Sequence, residues 1–128
     1  MSHRTDRVRI VVLLKRKPTL SKEEFHKHWT ETHGPLFSSL DVVKRNLLKY
    51  EQAHINDPVL QQIMQMIPGA PTADWDGMAI FEAESYAKVF EVFQSEEYSK
   101  VIIPDDEKFV DRANWQMLPF DLNTVVDK

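Results

Sequence analysis

The run Val8–Leu14, VRIVVLL, constrains the fold more than any other part of the chain. It is rich in β-branched residues and, Arg9 apart, apolar at odd and even positions alike. Such a strand is buried on both faces, so it belongs in the middle of a sheet with a layer on each side. It is far shorter than the roughly 20 residues that a membrane-spanning helix needs. Pro18 soon follows and stops it, because proline gives no N–H to a ladder.

Ser21-Lys22-Glu23-Glu24 is a capping box, in which the Ser21 hydroxyl accepts from the third backbone N–H and Glu24 reaches back. It opens a helix with Phe25, Trp29 and Thr32 on one face. His33 falls roughly 40° from Trp29 on the helical wheel, at the edge of that face. Gly34-Pro35 is expected to end this helix and begin another, since proline suits a first helical turn. Leu36, Leu40, Val43 and Leu47 then recur at helical spacing. Leu48–Ile55 reads as a strand with Leu48, Tyr50, Gln52 and His54 on one face. Alternation does not say whether that face lines an interior or meets a partner. Val59–Ile67 suggests a short helix, and Pro68-Gly69-Ala70-Pro71 a loop. Trp75–Ala83 is a third strand, with Trp75, Gly77, Ala79 and Phe81 facing one way. Ser85 caps a helix with the stripe Tyr86, Val89, Phe90 and Phe93. Pro104–Phe109 gives another helical turn, where Asp105 and Asp106 read as acids favoured at a helix start. Trp115–Val126 is extended, and Pro119 within it marks an edge or a change of partner.

Strand, helix, strand, strand, helix, strand is the α+β, ferredoxin-like order, here in one domain over residues 7–126. Helices cover one sheet face, and the apolar residues on the other call for a second subunit packed sheet to sheet. The formal net charge is −4, and Lys15-Arg16-Lys17 reads as a solvated strand end, which argues against nucleic acid. The chain has no cysteine, which removes disulfides, thiolate nucleophiles and cysteine-held metals. No glycine-rich phosphate loop appears. His26 and His28 project roughly 160° apart on a helix, and no HExxH motif exists, so no metal is expected. The polar start and the lack of a long apolar run lead to the expectation of a cytoplasmic homodimer.

The run Phe25-His26-Lys27-His28-Trp29-Thr30-Glu31-Thr32-His33-Gly34-Pro35-Leu36 resembles the signature of EthD-type dimeric α+β barrel proteins. Val12–Pro18 and Asp76–Ile80 are similar to that family too. Within it, Lys44–Gln52, Asp76–Tyr86 and Asp111–Asn114 resemble the fungal atrochrysone carboxylic acid decarboxylases. The resemblance implies a homodimer that removes CO2 from a polyketide-derived aromatic acid, without a cofactor, in anthraquinone secondary metabolism. Rival readings on the same scaffold are a cofactor-free oxygenase or cyclase, or a non-catalytic carrier or stress-response dimer.

Decarboxylating such an acid through its keto tautomer needs a proton donor, hydrogen bonding to the oxygen that becomes enol or phenol, and a dry aromatic pocket. His33 is the first candidate acid, since a helix C-terminus favours the imidazolium. A helix-ending histidine that only bonds backbone carbonyls is the plainer alternative. His54 shares a strand face with Tyr50 and Gln52, and is the candidate partner of His33. Asp76, beside Gly77, is placed to orient a histidine or to bond local backbone. Tyr50 suits donation to a developing phenolate, with Gln52 beside it for substrate binding. Trp29, Trp75, Phe81, Phe90 and Phe93 are candidates for an aromatic floor or for ordinary core.

Overall fold

The computed structural model describes residues 3–72 and 74–128. In chain order its elements are β1 (Val8–Leu14), α1 (Lys22–His28), α2 (Gly34–Ser38), α3 (Asp41–Asn46), β2 (Leu47–His54), α4 (Asp57–Met66), β3 (Gly77–Ala83), α5 (Tyr86–Gln94), α6 (Ile103–Phe109) and β4 (Gln116–Phe120). The strands form one antiparallel sheet in the order β2-β3-β1-β4. This is the α+β ferredoxin-like fold, with β1 in the interior of the sheet as its two apolar faces require. Among the described residues no helix is long and apolar enough to cross a membrane.

Register decides which side chains meet the helices. Ile10, Val12 and Leu14 pair with Phe81, Ala79 and Gly77 on β3, and these pair in turn with Tyr50, Gln52 and His54 on β2. All share the face that packs with Phe25, Trp29, Phe37, Val89, Ile102 and Phe109 in the core. The opposite face carries Val11, Leu13, Met78, Ile80, Leu118 and Phe120. At one end of it Glu82, only 2% exposed, meets Arg9 at 2.6 Å and Arg7 at 3.1 Å. Burial pushes the Glu82 carboxyl up, but the hydrogen bonds from Arg9 and Arg7 outweigh it and hold the group below its ordinary value.

Several local expectations are corrected. The chain does not break at Gly34-Pro35. A five-residue π-turn, Trp29–His33, joins α1 to α2, and Gly34 stays helical at φ −57°, ψ −53°. Its N–H bonds the Trp29 carbonyl five residues back, so the widened turn carries the helix into a proline that has no N–H of its own. A second π-turn, Tyr98–Ile102, leads into Ile103-Pro104 in the same way. The segment expected to run from Leu36 to Leu47 is divided, because Leu40 is extended between α2 and α3. A bulge between Leu47 and Lys49 turns Leu47 towards the core and leaves Leu48 46% exposed, off the face expected for it. β3 begins at Gly77 rather than Trp75, and the last strand ends at Phe120, one residue past Pro119. As an edge strand bonded to β1 alone, β4 tolerates that proline.

Candidate functional site

Both π-turns, through Trp29 and His33 in the first and Tyr98 and Ile102 in the second, border the helix-side face of the sheet. Between them lies a cavity walled by a run of aromatic contacts. His33 lies 6.4 Å from Phe37 between ring centres, Phe37 is 4.6 Å from Tyr50, and Tyr50 stacks on Phe81 at 5.5 Å. Phe81 meets Phe93 edge-on at 5.3 Å, and Phe93 meets Tyr98 at 5.2 Å. Trp29, Phe109, Arg112 and Trp115 also line the cavity. The enclosed space is about 40 Å³, and the whole concavity out to its mouth is about 480 Å³.

Polar groups converge at one end. His33, 7% exposed, directs Nδ1 at the Asp105 carboxylate 2.7 Å away. The other face of Asp105 is met by His28 Nε2 at 3.0 Å. A carboxylate only accepts, so Nδ1 of His33 carries a hydrogen and Nε2 is left for the cavity side. There it faces Asp106 Oδ1 at 3.6 Å. Asp106 also accepts from Arg112 Nη1 at 2.8 Å and from the Tyr98 hydroxyl at 3.5 Å. Burial pushes the Asp106 carboxyl up from its ordinary value, against the opposing pull of His33 and Arg112. Burial likewise raises the Tyr98 phenol, with the Asp106 charge adding to it. The guanidinium of Arg112 lies 4.9 Å from the centre of the Trp115 ring and also bonds the Asp106 carboxylate.

Of the residues singled out in the sequence, His33, Trp29, Tyr50 and Phe81 line this cavity, as does Phe93. His33 is not a helix end, so no helix C-terminus acts on it; a buried carboxylate does instead. His54 is on the same sheet face as Tyr50 but does not reach His33. The Trp29 ring packs on His54 at 4.4 Å, and His54 bonds Gln52 and His26. Gln52 sits behind Tyr50, donating to its hydroxyl at 3.0 Å. Asp76 is tied to Arg16, accepting from its backbone N–H at 2.8 Å and its guanidinium at 3.1 Å, and so clamps the start of β3 to the end of β1. Trp75 lies under Lys15 and outside the cavity. Phe90 is 48% exposed on the outer side of α5. Asp105 and Asp106 do occupy the first turn of α6, yet both point inward at His33, which composition alone does not convey. Among the described residues, no group of three or more histidine, cysteine, aspartate or glutamate side chains is arranged to hold a metal ion.

Comparison with known proteins places this geometry in a family. No curated protein sequence matches the chain. Solved structures match along nearly the whole length. An ethyl tert-butyl ether d (EthD) family protein from Bacillus halodurans is 14% identical over 91% of this chain and 99% of its own, with a TM-score of 0.62. A dimeric protein of unknown function and ferredoxin-like fold from Bacteroides fragilis is 13% identical over 94% and 100%, with a TM-score of 0.60. A hydroxynitrile lyase from Passiflora edulis is 12% identical over 97% and 100%, with a TM-score of 0.59. At these identities the likeness is one of fold. The EthD domain itself matches residues 17–113, most of the chain and all of the cavity wall except Val12, Leu14 and Trp115. The chain belongs to the EthD domain family.

Proposed function

We propose that the protein, as one domain over residues 7–126, is a cofactor-free decarboxylase of a polyketide-derived aromatic carboxylic acid. The observation that carries this reading is a buried imidazole, fixed at Nδ1 by Asp105, on the wall of an otherwise aromatic cavity. Such walls suit a flat phenolic acid and desolvate its carboxylate. As the imidazolium, His33 delivers its Nε2 proton to the carbon that loses CO2 and is reprotonated from solvent, and Asp106 Oδ1, 3.6 Å from Nε2, orients that N–H. Arg112 at the same wall orients the substrate carboxylate before it leaves. Tyr50 stands across the cavity as donor to the oxygen that becomes phenolic. His54 and Asp76 support the site from outside the cavity. Pockets for ligands of this size measure about 300–1,000 Å³, so the wall around the enclosed 40 Å³ opens towards the wider concavity of about 480 Å³ when substrate enters.

The converging polar groups beside open space speak against a carrier with a collapsed core. The assembly we propose is a homodimer packed through the open sheet face, in keeping with the dimeric relative and with the apolar residues there. The reading is tested by mass spectrometry of purified protein incubated with atrochrysone carboxylic acid, without added metal or cofactor. Loss of the mass of CO2 faster than in buffer, and its loss in His33→Ala, is the expected result. A gain of oxygen or a loss of water would instead select the oxygenase or cyclase reading.

A further inference from the structure

Behind Tyr50 runs a line of side chains whose hydrogen positions follow from a single fixed acceptor. The Trp29 carbonyl can only accept, and Gln52 Nε2 lies 2.9 Å from it. The Gln52 amide nitrogen therefore faces Trp29, and its second hydrogen goes to the Tyr50 hydroxyl oxygen at 3.0 Å. The amide oxygen is left facing His54 Nε2 at 3.0 Å, so that nitrogen carries a hydrogen. Neutral His54 then has only Nδ1 as an acceptor, and His26 Nδ1, 2.6 Å away, must be the donor to it. The order is complete from the surface inward: His26 donates to His54, His54 to Gln52, Gln52 to Tyr50. Gly34 makes room for it, since a Cβ there would stand 2.8 Å from Gln52 Nε2.

The consequence falls on Tyr50. Its oxygen accepts from Gln52, so its own hydrogen is turned away from Gln52 and towards the cavity that the ring lines. We propose that Gln52, backed by the His54–His26 pair, is a positioning residue that holds Tyr50 as a pre-aimed hydrogen-bond donor for a carbonyl or phenolate oxygen of the ligand. A donor already aimed needs no reorganisation when charge develops on that oxygen. Burial raises the Tyr50 phenol above its ordinary value, while hydrogen bonds from Gln52 and Trp29 pull the other way, in line with an oxygen that accepts on one side and keeps its proton on the other. The assignment of the donor to an aromatic ligand rests on the decarboxylase reading; the proton order does not.

Two measurements separate these. Long-range proton–nitrogen NMR on the free protein, above the ordinary histidine pKa of about 6.5, should find His54 protonated at Nε2 and His26 at Nδ1. His26 protonated at Nε2 would overturn the order. The second measurement titrates 1,8-dihydroxyanthraquinone into wild type, Tyr50→Phe and Gln52→Glu, following the visible band of the bound dye. A glutamate at 52 accepts where glutamine donates and draws the Tyr50 hydrogen to itself. Both variants should lose the wild-type band position and about tenfold in affinity. Wild-type band and affinity in a folded Gln52→Glu protein would overturn the positioning role. If that variant does not fold, His54→Leu replaces it and should weaken binding about twofold to threefold; no change would count against the proposal. Failure of wild type to bind the dye would remove the aromatic-ligand reading and the role of Tyr50, and leave the tautomer result standing.

Discussion

Asp105 accepts from His28 and His33 at once, and this shared buried carboxylate sets the chemistry of the cavity more than any helix end does. Replacing it with asparagine keeps the shape but presents an amide nitrogen to one imidazole, releasing the tautomer of His33. Asp105→Asn is expected to lower kcat for the proposed CO2 release about 10²-fold with little change in KM, as read from steady-state kinetics; unchanged kcat would remove Asp105 from the proposed mechanism. His54 offers a second test. Burial first, and the neighbouring His26 second, hold its pKa below 6.5. His26→Gln removes the second cause alone, so the His54 pKa should rise part of the way back, measured by NMR titration. Much of this was out of reach of the sequence. The wheel placed His33 beside Trp29 because both lie on one helical path. Asp105 is 72 residues from His33 and looks, in sequence, like any helix-start acid. Only the fold of α6 over α1 turns it inward.

The elements carry the site through two small departures from regularity. Each π-turn spends one extra residue, and each precedes a helix with proline in its first turn. Helical periodicity has no way to express this, which is why Gly34-Pro35 reads as a break. The exposed Thr30 makes a direct test. Inserting an alanine after it adds a residue that the already widened turn cannot absorb and swings His33 by about 100° away from Asp105, so activity should vanish while far-UV circular dichroism stays close to wild type. Gly77 serves the site by a different means. A Cβ there would run into the Trp29 ring, and Trp29 is only 1% exposed and cannot retreat. Gly77→Ala is expected to cost about 1–3 kcal/mol in thermal unfolding; a neutral effect would mean that the ring has room to move. The strands, the capping box at Ser21 and the pairing of Tyr50, Gln52 and His54 on one face were legible, because alternation and caps are local. The bulge that displaces Leu48 was not, since it depends on how β2 meets β3.

At the scale of the whole molecule, the sheet has a wet end and a greasy middle on its open face. Glu82 contributes stability that is present above its ordinary pKa of 4.5 and is lost as pH falls through its depressed folded value. Glu82→Gln should therefore cost about 1–3 kcal/mol at neutral pH and almost nothing in acid, as read from denaturant melts at both. Ile80→Asp, in the middle of that face, should make the protein monomeric in sedimentation; an unchanged mass would place the interface elsewhere. The strand β1 joins the two sides of the sheet, because Val11 and Leu13 point to the open face and Val12 and Leu14 to the cavity. Anything that presses on one side sets the curvature of the other. Assembly and ligand occupancy are then two readings of one strand, and by linkage each must shift the other by the same factor. Dilution far below micromolar concentration should weaken ligand binding, and a saturating ligand should hold the pair together against that dilution.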